Sequence, residues 1–497
     1  MTKVVVVGSG PIGSAFALTL HNLDATADIT MFEVGPAATQ PLGRHVRTLD
    51  STEELEEAQL LCQGPKRNVK EDPRKMHTGV VLARPGTFLV EDGKANSEMP
   101  ATAMSANVGG MGAHWTAACP RLGEGEIPTF IDRAEFEKDF DEAWRILKVT
   151  QSAFATFPLG DQLRDRLGAK YNDGRAAGRE VQPMPLAVQV KDNRTWWTGT
   201  DVIIESILPS ERFHLIPDTL VTEVLTDGKR ATGVRIKNQN TGTESTVDAD
   251  IVFVAGDSIR TPQLLFKSGI RPKALGHYLN DHGQVLGLAE LPEDLIATTE
   301  KPNRVGALAP HSGISWIPYD RETFPVHAQI MQMDASPIPL HDMKEPRPGA
   351  FVGVGLFVPK DVQEADRVEF SETETDFYGM PKPSLHYKWT AEDDRRFAQA
   401  KELLTGVMET IGTPLGNGAI TMPPGSSLHY MGTVRMGATD DGTSVCDPTS
   451  KVWGFENLYV GGNGVIPTET AANPTPTSIA FAIKAARTIA QTISKGN

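Results

Sequence analysis

The opening residues constrain this chain more than any other stretch. Lys3-Val-Val-Val-Val-Gly8-Ser-Gly10-Pro-Ile-Gly13 runs four β-branched residues into a glycine-rich turn. An uninterrupted apolar run of this kind reads as a strand buried on both faces, as a central parallel strand is. The glycines then have separate tasks. Gly8 permits the tight turn, Gly10 lets the backbone approach a pyrophosphate, and Gly13 lets the next helix pack closely. That helix begins at Pro11 and Ile12, and its N-terminus favours phosphate charge. A second strand, Ile29 to Phe32, ends on Glu33, twenty residues past Gly13, where a carboxylate can bind ribose hydroxyls. The same acid would repel the extra phosphate of an NADP-type cofactor, which leaves FAD or NAD.

A turn of this type needs a whole sheet around it, and 497 residues suffice for two or more domains. With 48 basic against 63 acidic residues the formal charge is −15, and no Lys/Arg-rich run occurs. Nucleic acid and anionic membrane are therefore poor partners. The three cysteines, Cys62, Cys119 and Cys446, are far apart and form no C-x-x-C pair. This excludes a redox dithiol and argues against a disulfide framework; no metal ligands are assigned. Met1-Thr2-Lys3 stand before the first apolar run, and no apolar stretch approaches a membrane span. A cytoplasmic protein outside the membrane is the expectation.

Beyond Glu33 the chain leaves the sheet through a Gly/Pro loop, and Glu53 to Glu57 read as a short exposed helix. From Asn68 to Ser97 the residues are polar and turn-rich, as in surface excursions. Ser105-Ala-Asn-Val-Gly109-Gly110-Met111-Gly112-Ala-His114-Trp115-Thr116 is different: glycine-rich backbone can lie against a planar ring or a phosphate, with His114, Trp115 and Thr116 placed to touch it. A glycine loop beside a satisfied core histidine is the plainer alternative. Phe136, Phe140, Trp144 and Leu147 repeat at helical spacing and suit a core. Phe213 to Pro217 lead into a hairpin that includes Val221 and turns at Asp227-Gly228. Ile251 to Val254 read as another parallel strand, ending on Ala255-Gly256, after which Thr261-Pro262 opens a helix. Alternating runs at Phe351–Val358 and Pro383–Trp389, with a helix from Asp394 to Ile411, read as a mainly antiparallel sheet and its cover.

The last seventy residues return to the first sheet. Leu458 to Val460 run into a glycine turn ending on Asn463, and Asn473-Pro474-Thr475-Pro-Thr477 introduces a helix with an apolar stripe at Ile479, Ile483, Ala486, Ile489 and Ile493. The positive end of that helix, aimed at a flavin, would stabilise the negative charge the ring gains on accepting hydride.

Taken together, the N-terminal glycine turn, Gly109-Gly110-Met111, Gly276 to His282, His429 with the following Gly432-Thr-Val-Arg435-Met-Gly437, and Asn473 to Thr477 resemble the glucose-methanol-choline (GMC) oxidoreductases over nearly the whole chain. Val108 to Thr116 and Phe370 to Pro383 are similar to its pyranose-oxidase-like branch, which includes bacterial glycoside 3-oxidases. The resemblance implies an α/β Rossmann-like FAD-binding domain from residues 1–130, 200–285 and 430–497. It also implies a substrate domain from residues 131–199 and 286–429, with a mainly antiparallel sheet and covering helices. FAD is the implied cofactor, held by the residues named so far at the two glycine loops and Glu33, and by Val221, Ala255, Gly256, Asn463, Pro474 and Thr475.

Oxidation of a secondary alcohol needs a base for the O–H proton while the C–H hydrogen leaves as hydride, and the ordinary histidine pKa of about 6.5 suits that task. By resemblance the base is His429 and its hydrogen-bonding partner is Asn473, 44 residues later. His114 matches a histidine that holds flavin covalently in fungal pyranose oxidases, but Gly112-Ala113 replace the usual Ser-Thr before it, so covalent and non-covalent attachment both stay open. Gln329 and Asp334 match sugar contacts. The arginine that branch carries in its next strand is missing from Phe351–Val358. The expected activity is therefore oxidation of a pyranose or glycoside ring hydroxyl at C2 or C3, inclining to C3, with oxygen or a quinone or dye as electron acceptor. A non-sugar alcohol oxidase is the alternative enzyme, and a flavin-binding protein without turnover the alternative of another class. The chain lacks room for the oligomerising arm and head of the fungal enzymes.

Overall fold

The computed structural model describes residues 1–64, 85–91, 97–155, 158–192, 194–296, 313–333 and 349–496. Its centre is a five-stranded parallel sheet in the spatial order Leu458–Val460, Ile251–Val254, Thr2–Val7, Ala27–Phe32, Phe213–Ile216. The valines of the middle strand alternate between two cores. Val4 and Val6 pack under the helices Pro11–Leu23 and Thr475–Gly496, with Phe16, Ile479 and Ile483; Val5 packs on the other face with Val252, Val254, Leu264 and Val234. Both faces are covered, which is why the run is apolar throughout. Pro11 takes the first position of its helix, where a missing N–H is no loss.

Of the expectations around this sheet, one is met with additions and one needs correction. The hairpin expected after Phe213–Pro217 is present, Thr219–Asp227 pairing with Arg230–Asn238 around the turn at Asp227-Gly228; a third strand, Glu244–Asp248, joins it, and Phe213–Ile216 itself is the edge strand of the parallel sheet beside Ala27–Phe32. A short apolar run states that it is buried, not which partner it pairs with. The helix expected at Thr261-Pro262 instead spans Asp257–Lys267, with Pro262 inside. Two contacts allow this. The Asp257 carboxylate accepts from Ile259 N and Arg260 N in the first turn, and the Ser258 carbonyl, which Pro262 cannot pair, accepts the Thr433 hydroxyl at 2.6 Å.

Above the parallel sheet lies a six-stranded antiparallel sheet in the order Thr413–Thr421, Gly283–Glu290, Phe351–Val358, His327–Met333, Ile314–Ile317, Gln182–Pro183. Its cover helix is Ala391–Ile411, three residues longer at the start than expected because Thr390 and Asp393 form a reciprocal capping box. Gly283 and Gly287 let that helix sit close, since a Cβ on them would lie 2.5 Å from Phe397 Cζ and 2.6 Å from Met408 Sδ. Ala328, Ile330, Val352, Val354 and Leu356 face this helix-covered core. By the two-residue period, His327, Gln329 and Phe357 face the other way, with Trp316 opposite Gln329 in the ladder.

The run Pro383–Trp389 is not part of this sheet. Pro381–His386 pairs with Arg367–Thr375 in a separate hairpin that packs on helix Asp257–Lys267. Of the stretch from Asn68 to Ser97, read as surface excursions, most lies outside the described residues; Phe88, within it, is buried.

Candidate active site

The C-terminal ends of four parallel strands open into one cavity of about 340 Å³, lined there by Val7 and Gly8, Phe32 and Glu33, Val254 and Ala255, and Gly462 and Asn463. Ligands of open α/β sheets bind at this edge. Of the residues expected to hold a cofactor, Gly8, Gly10, Pro11, Ile12, Glu33, Gly110, Met111, His114, Trp115, Thr116, Val221, Ala255, Gly256, Asn463 and Thr475 line the cavity. Gly13, Gly109 and Pro474 lie behind it. A Cβ on Gly13 would sit 2.2 Å from the Gly8 carbonyl oxygen, so its work is helix–strand packing. Gly109, at φ +95, donates its N–H to Ser9 Oγ (2.9 Å), and Ser9 Oγ donates to Glu33 Oε2 (2.7 Å). Ser9 thus ties both glycine loops to the carboxylate. Burial pushes the Glu33 carboxyl upward, and N–H groups of Gly35 and Ser9 oppose that shift.

Two features fit a nucleotide cofactor. Gly10 lines the cavity with nothing within 4 Å of where its Cβ would stand, which leaves an open strip of backbone at a helix N-terminus. Both ring nitrogens of His114 are buried and have no partner among the described residues, and burial lowers its pKa to about 4. Trp115 beside it is fixed, its Nε1–H donating to Thr198 O at 2.9 Å.

His429 enters the same cavity from the segment after Thr413–Thr421, and Asn473 from the residues before helix Thr475–Gly496. Asn473 Nδ2 lies 3.1 Å from His429 Nε2, and Asn473 Oδ1 lies 2.8 Å from the Gln329 amide nitrogen. The three residues named for the chemistry and the sugar therefore meet; Asp334 lies outside the described residues.

Around them stand residues that carry no expected role. His429 Nδ1 is 2.9 Å from His282 Nδ1, and His282 Nε2 is 3.0 Å from Thr470 Oγ1. Burial lowers the His282 pKa to about 3, so the ring is neutral. Asp281 Oδ1 accepts the His429 backbone N–H (3.1 Å) and the Ser427 hydroxyl, and Oδ2 accepts Gly425 N (3.1 Å); burial raises this carboxyl to about 7. The buried Glu126 carboxylate accepts the N–H groups of Ala471 (2.6 Å) and Ala472 (3.3 Å), which shapes the turn leading to Asn473. Phe357 lies against His429 with ring centroids 4.9 Å apart. The alternation of strand Phe351–Val358 was a signal available for Phe357; nothing local marked Glu126 or Thr470.

A cavity at the edge of a parallel sheet, with a His–Asn pair in its wall that reaches Gln329 of the antiparallel sheet, is the arrangement the comparisons with known proteins assign to a class of oxidoreductases. Sequence models of the GMC oxidoreductase family match residues 129–284 and 364–482. The chain is 44% identical to a C-glycoside 3-oxidase of Arthrobacter globiformis over 99% of its length and 95% of the relative. It is 43% identical to a C-glycoside 3-oxidase of Microbacterium trichothecenolyticum (99% and 97%) and 30% identical to a pyranose 2-oxidase of Tricholoma matsutake (98% and 93%). The crystal structure of pyridoxine 4-oxidase from Mesorbium loti shares the fold at a TM-score of 0.65 and 16% identity, covering 98% and 99% of the two chains. The chain belongs to the GMC oxidoreductase family, flavoproteins that oxidise CH–OH groups. Among the described residues no helix is long and apolar enough to cross a membrane.

Proposed function

We propose that the protein is an FAD-dependent oxidase of glycosides that converts the C3 hydroxyl of a pyranose ring to a ketone. The observation that carries this reading is the contact between His429 Nε2 and the Asn473 amide at the wall of the cofactor cavity. The higher identity to C-glycoside 3-oxidases than to a pyranose 2-oxidase supports C3 over C2, as does a strand Phe351–Val358 with no arginine.

The Gly8–Gly13 turn would take the pyrophosphate and Glu33 a ribose hydroxyl, while the N-terminus of the 22-residue helix Thr475–Gly496 lends positive charge to the part of the cavity beside Asn473. His429 accepts the hydroxyl proton at Nε2, and Asn473 and Gln329 hold the sugar oxygens. FAD held by the Gly8–Gly13 turn, Glu33 and the Gly110–Thr116 loop would supply the two-electron acceptor that the side chains lack, with dioxygen or a quinone-type compound as the final acceptor. His282 orients the His429 ring from behind, and Asp281 holds the His429 backbone N–H. A cytoplasmic location is part of this reading, supported by three buried, unpaired thiols, of which Cys62 is pushed up to about 12.

Anaerobic bleaching of the flavin absorbance by free monosaccharides, O-glycosides and C-glycosides tests it, with the ketone located by NMR. Glycosides are expected to bleach the flavin and carry a C3 ketone. A C2 ketone from free glucose would overturn the C3 assignment, and bleaching by simple alcohols but no sugar would overturn the substrate class.

A further inference from the structure

The contacts at His429 extend into a longer line: Trp316, His327, Gln329, Asn473, His429, His282, Thr470. Its end groups determine where the protons lie. Trp316 Nε1–H can donate and cannot accept, and it meets His327 Nδ1 at 2.9 Å. His327 is completely buried and held neutral by that burial, so its one proton is on Nε2. This Nε2–H meets the end of the Gln329 amide at 3.0 Å. A nitrogen there would set two donors against each other. A half-turn of an amide moves no heavy-atom contact, so the group at that position is the Gln329 oxygen. One carbonyl oxygen accepts twice, and its second donor is then the NH2 of Asn473, 2.8 Å away. That leaves the Asn473 carbonyl facing His429 Nε2 at 3.1 Å.

The other end leads to the same place. The Thr470 hydroxyl donates to Met431 Sδ at 3.5 Å, so its oxygen accepts His282 Nε2–H, and the bare His282 Nδ1 accepts from His429 Nδ1. Both ring nitrogens of His429 thus face acceptors.

We propose that Trp316 and His327 are positioning residues that hold the Asn473 carbonyl towards His429 Nε2, so that the site is built around the protonated form of His429. Resting on the assignment of His429 as base, this makes the network complementary to the state formed once the substrate proton has moved, and it strengthens the base. The other titratable groups near His429, namely Asp281 at its backbone, His282 at its ring and His327 along the line, are all buried, and of these only His327 touches Trp316.

The test needs no substrate. Holoenzyme labelled with ring-15N histidine is titrated by NMR, and the His429 signal is identified by its loss in His429→Ala. Trp316→Phe keeps the ring and removes the donor; the Asn473 amide is then free to turn its NH2 to Nε2, and the His429 pKa is expected to fall by about one unit. His327→Leu breaks the line one step later and is expected to give the same fall, which guards against a misfolded Trp316 variant. An unchanged His429 pKa in a variant that keeps its flavin spectrum would overturn the proposal. Failure of the base assignment would show separately, as His429→Ala reducing its flavin at the wild-type rate.

Discussion

At Gly8–Gly13 the chain offers a ligand its backbone, and around His429 it offers side chains. The first surface is made by a few neighbouring residues: Gly8 at φ +100, Gly10 open to the cavity, and Gly13 pressed against the Gly8 carbonyl. The second draws on residues 282, 316, 327, 329, 357, 429 and 470–473, brought together from the antiparallel sheet and three loops. A backbone surface fails when a side chain intrudes. A side-chain surface fails when one member of a network loses its partner, and it can fail chemically while the fold survives.

The sharpest break between the two should come at the glycine turn. In Gly13→Val the new Cβ meets backbone at 2.2 Å, which cannot give way without moving the turn. We expect protein purified without flavin absorbance and destabilised by about 3 kcal/mol. Gly10→Ala sharpens the point: its backbone has an ordinary φ of −60 and free space, so it should keep the wild-type melting temperature while holding flavin more weakly. A Gly13→Val protein with its full complement of flavin would break the comparison.

The network side should behave in the opposite way. His429→Ala is expected to bind flavin as well as wild type and to slow its anaerobic reduction by sugar by about 10²- to 10⁴-fold. Flavin loss on this substitution would mean that the two surfaces are not separable.

The same contrast explains what could be read before any coordinates. The glycine turn, Glu33, the strand Ile251–Val254 and the C-terminal helix were legible because their constraints are local: a run of valines, a spacing, a Pro at a helix start. His429 and Asn473 were legible through resemblance, not spacing. Trp316, His327 and Thr470 were not, since each looks like an ordinary strand or loop residue until the ladder sets Trp316 opposite Gln329 and the turn held by Glu126 brings Thr470 beside His282. Pro383–Trp389 was misassigned because its strand pattern fixes burial and leaves the partner strand undetermined, and for the same reason Phe213–Ile216 gave no sign of its place at the sheet edge. The start of helix Asp257–Lys267 was hidden because the carbonyl freed by Pro262 is capped by Thr433, far away in sequence.

His282 sits where chemistry and stability meet, and its replacement should produce the smallest and most specific of these effects. His282→Gln is nearly the same size but cannot present an acceptor to His429 Nδ1 and a donor to Thr470 in the same geometry; reduction should slow by about tenfold, the value of one hydrogen bond. Its stability signature is a matter of sign. The histidine is neutral in the folded protein, with its pKa lowered by burial to about 3, and returns to about 6.5 when unfolded. Between those values the unfolded chain binds the extra proton, so the contribution of His282 is complete above pH about 6.5 and is lost as pH falls towards 3. Glutamine has no such proton. Urea denaturation at a series of pH values should therefore find the variant less stable than wild type at pH 7, with the gap closing by about 1.4 kcal/mol per pH unit below 6.5. A gap that stays constant would mean that the folded and unfolded chains take up this proton alike, so that burial does not hold His282 neutral below about pH 6.5 and its place as the acceptor behind His429 would have to be given up.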